Sequence, residues 1–77
     1  MEIKVLGMGC ANCKKLFKNA EDAAKEAGDT TVSKVESIQE IASYGVMRTP
    51  ALVIDGVVRV QGAIPSKDEI LKLIKKG

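Results

Sequence analysis

The chain has 77 residues, 45% of them apolar and 29% charged, enough for one small domain over residues 1–77 with no room for a second core. It has no His, two Cys, and only one Phe and one Tyr. This argues against imidazole-based triads, catalytic zinc, multi-bridge secreted scaffolds and stacking platforms for single-stranded nucleic acid. A net charge of +2 gives no case for a nucleic-acid or membrane partner, and no apolar run nears the ~20 residues of a membrane-spanning helix.

Residues 2–6 read EIKVL, a first strand with Ile3 and Val5 on one side, stopped by Gly7 and Gly9. Over residues 10–27 the apolar positions Cys13, Leu16, Phe17, Ala20, Ala23, Ala24 and Ala27 recur at three and four, the face of a helix that Gly28 ends. The alanines let that helix lie close to what it covers, and a sheet is the expected partner. Residues 30–35, TTVSKV, form a second strand through their β-branched side chains.

Ser37 and Glu40 fit a capping box opening a short helix over residues 37–44, with Ile38, Ile41 and Ala42 as its buried face and Gly45 as its end. After Arg48-Thr49-Pro50, residues 51–55 read ALVID, a strand apolar on both faces, and Asp55-Gly56 makes a two-residue hairpin turn into VVRVQ. Ser66 and Glu69 repeat the capping box behind Pro65. Ile70, Leu71, Leu73 and Ile74 follow as the stripe of a last helix, with Lys72, Lys75 and Lys76 suiting its dipole. The predicted order is β-α-β-α-β-β-α, an α/β fold with a mixed four-stranded sheet between helices.

The chemistry concentrates in Gly9-Cys10-Ala11-Asn12-Cys13, where a strand gives way to a helix. Unsatisfied N–H groups and the positive dipole end at a helix start favour an anion, so a thiol at Cys10 ionises more readily than a free one. Cys13 lies three residues on, within the apolar stripe and within reach of Cys10, as a resolving thiol beside an attacking one. Lys14, Lys15 and Lys18 follow and add positive potential, suited to an acidic partner or simply to a solvated face. With no export segment visible, the cytoplasm is the expected compartment, where a Cys pair serves catalysis or metal more often than structure.

Other readings of the pair stand beside this one. Two small buried residues can fall at this spacing by coincidence. Two thiolates make half a zinc site, which a second molecule would have to complete. Soft Cu(I) accepts two thiolates, and Gly7-Met8-x-Cys10-x-x-Cys13 resembles the loop of heavy-metal-associated copper chaperone domains. Those domains run β-α-β-β-α-β, however, and this chain inserts a capped helix after its second strand and ends in another.

The element order is similar instead to the thioredoxin and glutaredoxin superfamily, which pairs Cys-x-x-Cys at its first helix with a Pro, usually cis, directly before the third strand. Residues 49–56, Thr-Pro-Ala-Leu-Val-Ile-Asp-Gly, resemble that second signature. The whole chain resembles the very short thioredoxin-like redox-active disulfide proteins of archaea and bacteria, through its Gly-Cys-x-x-Cys start and the Pro-Ser-Lys-x-Glu-Ile approach to its last helix at residues 65–70.

The resemblance implies a minimal thioredoxin-like fold and a thiol–disulfide oxidoreductase, a cytosolic disulfide reductase or electron carrier working through a Cys10/Cys13 couple. It implies a cis Thr49–Pro50 bond, with the Thr49 amide and carbonyl offered to an extended substrate strand and Pro50 keeping metal from the thiols. Gly62 and Ala63 would form the neighbouring loop that substrate passes, although Gly62 also suits a plain strand end. Gly9, Ala11, Asn12 and Lys14 would tune the pair. The alternative function is a Cu(I)-binding module built on Met8, Cys10 and Cys13.

No cofactor or resident metal is implied. The expected partners are disulfide-containing proteins and an upstream reductase or small-thiol reductant, acting on a monomer. The sequence departs from the Trp-Cys-Gly-Pro-Cys of larger thioredoxins, and from the pattern of glutathione-using glutaredoxins it keeps only Gly62. No acidic residue on the first strand is placed to take a proton from Cys13, which leaves water or Lys4 for that task. Met8 and Met47 suit an apolar rim or ordinary packing, Arg48 a substrate backbone or a surface carboxylate, and Tyr44 packing at the end of the second helix.

Overall fold

Seven elements follow one another in the computed structural model, which describes residues 1–7 and 11–76. They are β1 (Glu2–Leu6), α1 (Ala11–Ala27), β2 (Thr31–Val35), α2 (Ile38–Ser43), β3 (Ala51–Ile54), β4 (Val57–Gln61) and α3 (Lys67–Lys76), the order expected from the sequence. The four strands form one sheet in the order β2-β1-β3-β4. β1 pairs parallel with β2 and antiparallel with β3, and β3 pairs antiparallel with β4. This mixed sheet with its three helices is a minimal thioredoxin-like α/β fold.

Alternation along the strands divides the core in two. Ile3 and Val5 of β1 with Leu52 and Ile54 of β3 face Leu16, Ala20 and Ala23 of α1 and Ile70 and Ile74 of α3. Leu6, Val35, Ala51 and Val53 point the other way, to Ile41 of α2, with Tyr44 and Val46 packed against them. All four residues of β3 are buried, as its uninterrupted apolar run requires. Ile3, Leu16, Leu52 and Ile70 are fully enclosed, each contributing roughly 1.5–3 kcal/mol of transfer free energy. Ala20 and Ala23, also fully enclosed, let the α1 backbone approach the sheet closely.

Local chemistry sets the ends of the elements. Asp55 and Gly56 both have positive φ, 50° and 83°, the geometry of the tight hairpin turn that Asp-Gly favours. Ser37 caps α2 by accepting from the Glu40 N–H. At α3 the box is reciprocal, with the Glu69 N–H donating to Ser66 Oγ and the Ser66 N–H donating to Glu69 Oε1. α3 is fastened to α1 by Asn19 Nδ2 donating to the Pro65 carbonyl at 3.1 Å and by Lys67 paired with Glu26 at 2.8 Å.

Two details correct the sequence reading, and a third adds to it. Ile38 is 68% exposed and Ala42 is exposed, so Ile41 alone carries the buried face of α2. Tyr44 and Val46, beyond the helix, fill the space instead. Ala27 is exposed at the end of α1, where the chain turns at Gly28. Within β4, Leu52 pairs with Val60 but Val53 pairs with Val58, so Arg59 is an extra residue, a β-bulge. The bulge sends Val60 to the α1 and α3 side and Val58 to the α2 side, whereas regular alternation would have put them together.

Candidate functional site

One end of the sheet collects most of the residues singled out in the sequence. β1 delivers Gly7 there, β3 starts there at Ala51 just after Pro50, and β4 ends there at Gln61 before Gly62. Cys13, in the first turns of α1, is 6% exposed. A Cβ built on Gly7 would overlap Cys13 Sγ and would stand 3.1 Å from Cys13 Cβ and 4.0 Å from Pro50 Cα. The Cys13 side chain thus occupies the space left by the missing side chain of Gly7, with Pro50 beside it. Cys10, Gly9 and Met8 lie outside the described residues, and with them the Cys10/Cys13 pairing and the thiolate expected at the helix start.

The Thr49–Pro50 peptide bond is cis, as the resemblance implies. Pro50 is buried and Thr49 exposed. The Gly62 N–H donates to the Pro50 carbonyl at 2.9 Å, tying the two loops together. Gly62 has a φ of 68°, and a Cβ there would sit 3.1 Å from both Cβ and Cδ of Arg48, so its lack of a side chain is used. Arg48 therefore lays its aliphatic stem against Gly62. The adjoining Met47, 92% exposed, is held through its N–H, which donates to Gln61 Oε1 at 3.1 Å. Ala63 is exposed beside Gly62, as are Ala11, Asn12 and Lys14 around the start of α1.

Beside Cys13 is a recess of about 20 Å³ lined by Val5, Gly7, Cys13, Lys14, Lys34 and Glu36. Lys34 is held there with its Nζ 4.7 Å from the centre of the Phe17 ring, a cation–π contact. Lys4 is elsewhere. It alternates to the α2 face of β1, where its Nζ donates to the Tyr44 hydroxyl at 3.2 Å and lies 3.6 Å from Glu2 Oε1. The Tyr44 hydrogen bond, with the charge of Glu2 adding to it, holds the Lys4 ammonium above its ordinary pKa. A proton role for Lys4 at Cys13 is thus replaced by a structural one.

Sequence reasoning gave Gly7 as a strand end and as part of a cysteine loop, not as the space for Cys13, and it passed over Lys34, Glu36 and Gln61 as site residues. A signal existed for Gly7, a glycine between a strand and a cysteine loop. Lys34 lies in β2 and Glu36 one residue past its end, and both line the recess beside Cys13.

Among the described residues no group of three or more His, Cys, Asp or Glu side chains is placed to hold a metal ion, and no helix is long and apolar enough to cross a membrane. The family model for the thioredoxin domain matches residues 1–75. A protein named thioredoxin from Methanothermobacter thermautotrophicus is 40% identical over 75 residues, spanning 96% of this chain and 97% of the relative. Proteins of the same name from Methanocaldococcus jannaschii are 36% identical over 74 residues (95% of this chain, 85% of the relative) and 32% identical over 71 (87% and 82%). These matches support thiol–disulfide chemistry as a class and lend none to the copper-binding alternative.

Proposed function

Because the chain belongs to the thioredoxin family, we propose that it is a thiol–disulfide oxidoreductase that reduces protein disulfides or relays electrons through a Cys10/Cys13 couple. Cys10 is the attacking thiolate. It displaces one sulfur of a substrate disulfide and leaves a mixed disulfide, which Cys13 attacks to close the Cys10–Cys13 bond and release the reduced product. Electrons return from an upstream reductase or a small thiol, and no bound cofactor takes part. We place this single-domain unit, residues 1–77, in the cytoplasm as a monomer.

The observation that carries the reading is the packing of Cys13 into the space at Gly7, a position 4.0 Å from Pro50 Cα and so near the loop pair made by Pro50 and Gly62. A sulfur held there is shielded from solvent, as a resolving thiol should be, while exposed Thr49, Gly62 and Ala63 offer backbone around it. Thr49 would pair its amide and carbonyl with an extended substrate segment, and the glycine at 62 lets that segment pass closely. Ala11, Asn12 and Lys14, with Gly9, would tune the pair.

Reduction of insulin by the full chain with a dithiol as electron source tests the proposal. Cys10→Ser is expected to abolish turnover, and Cys13→Ser to keep one-step exchange while losing turnover. Full activity in Cys10→Ser would refute the assignment.

A further inference from the structure

A positive charge is fastened to the loop pair at the end of the sheet. Cβ and Cδ of Arg48 stand 3.1 Å, and Cγ 3.7 Å, from the place a Cβ on Gly62 would take, so most of the Arg48 stem lies against Gly62. The Gly62 N–H in turn holds the Pro50 carbonyl at 2.9 Å, and Pro50 follows exposed Thr49 through the cis bond. The guanidinium starts one bond beyond Cδ, so its charge stays at this loop pair. Arg48 is exposed, and no carboxylate among the described residues pairs with it, the ion pairs there being Lys4 with Glu2 and Lys67 with Glu26. A guanidinium whose stem is already ordered loses little further freedom on binding, and its planar fork suits a carboxylate through two parallel hydrogen bonds. The surroundings favour a partner of the same sign. Lys14 and Lys34 line the recess at Cys13 with Glu36 as the one carboxylate, and Lys15 and Lys18 are exposed on α1. Met47, 92% exposed next to Arg48, adds apolar surface, so the fit is to a peptide chain and not to a small anion.

Building on the thiol–disulfide reading above, we propose that Arg48 is a specificity-determining residue that selects disulfides in acidic peptide segments, pairing its guanidinium with an Asp or Glu close to the substrate cysteine. The Thr49 backbone holds the segment in extended form. Such a chain advances about 3.3 Å per residue, so the carboxylate that reaches Arg48 lies within about two or three residues of that cysteine. Substrates with Lys or Arg at those positions meet a like charge and are disfavoured.

The test uses the full chain, a dithiol as electron source, and short disulfide-linked peptide dimers that differ only in whether Glu, Gln or Lys flanks the cysteine. Reduction of each peptide by the dithiol alone is the baseline. The readout is the ratio of kcat/KM values between peptides within one variant, which a general loss of activity does not move. The Glu peptide is expected to exceed the Gln peptide about three- to fivefold at low salt, the upper side for an exposed charged pair, and the Lys peptide to fall below both. The preference should shrink as salt screens it. Arg48→Gln, which keeps the stem as far as Cδ, should bring the ratio of Glu to Gln peptide to about one. Arg48→Lys should keep part of the preference, and Arg48→Glu should favour the Lys peptide. A parent chain that reduces all three peptides equally well overturns the proposal alone, as does a preference for the Glu peptide that survives in Arg48→Gln or in Arg48→Glu. A parent chain that reduces none of them overturns the oxidoreductase reading and this proposal with it.

Discussion

Cys13 fills the space that any side chain on residue 7 would need, its Sγ overlapping the position of a Cβ on Gly7. Gly7 has no positive φ among the backbone angles of this fold, so the requirement is for room and not for an unusual conformation. Gly7→Ala is therefore expected to cost about 1–3 kcal/mol by overpacking. Urea denaturation measures it. The penalty should shrink in a Cys13→Ala background, because the overlapping atom is gone and the two sites share one volume. Equal penalties in both backgrounds would show that the conflict lies elsewhere.

Gly62 meets both requirements at once, a φ of 68° and a Cβ position 3.1 Å from the Arg48 stem. Gly62→Ala should cost on the order of 1–3 kcal/mol for the left-handed backbone, of which Arg48→Ala relieves only the steric part. Since the Gly62 N–H holds the Pro50 carbonyl, the loop pair should loosen. Turnover assays should then show a higher KM for a protein disulfide and little change with a small one.

The bond between the end of α1 and the start of α3 carries a pH signature. Lys67 donates to Glu26 at 2.8 Å, and that hydrogen bond with its charge attraction holds the Glu26 carboxyl below and the Lys67 ammonium above their ordinary values. A depressed carboxyl contributes stability that is present above its unfolded pKa and lost as pH falls through the folded one. A raised ammonium contributes stability present below its unfolded pKa and lost as pH rises through the folded one. Glu26→Gln should thus lower Tm slightly between those limits, with the difference vanishing in acid and shrinking in salt, since both side chains are about half exposed. Thermal melts across pH at two salt concentrations check it.

Features with short-range causes were legible in the sequence. Asp55-Gly56 names its own turn because both residues tolerate positive φ, and Ser66 with Glu69 names a helix start because the two groups satisfy each other's amides. Periodicity with capping boxes located the helices, and β-branched or apolar runs with the Asp-Gly turn located the strands, so that all seven elements were placed. The misses arise where a distant partner decides. The sequence placed a strand at VVRVQ, but only the pairing with β3 shows the bulge at Arg59 that puts Val58 and Val60 on opposite faces. Ile38 is spaced for burial with Ile41, yet Tyr44 and Val46 take the room on that face of the sheet.

Within the site, the union of Pro50 with Gly62 came from a family signature and not from any local rule. The contact of the Arg48 stem with Gly62 came from neither. It depends on the antiparallel register of β3 with β4, which pairs Ala51 with Gln61 and so sets Gly62 across from Pro50, and on the missing side chain at Gly62.

The most direct measurement of the central claim is mass spectrometry of the Cys13→Ser chain after exposure to a protein disulfide. The expected result is a stable mixed disulfide mapped by peptide digestion to Cys10, which the unmodified chain releases as its own Cys10–Cys13 bond closes. A Cys13→Ser chain that forms no adduct at Cys10 would contradict the account, as would an unmodified chain that keeps its adduct without closing that bond.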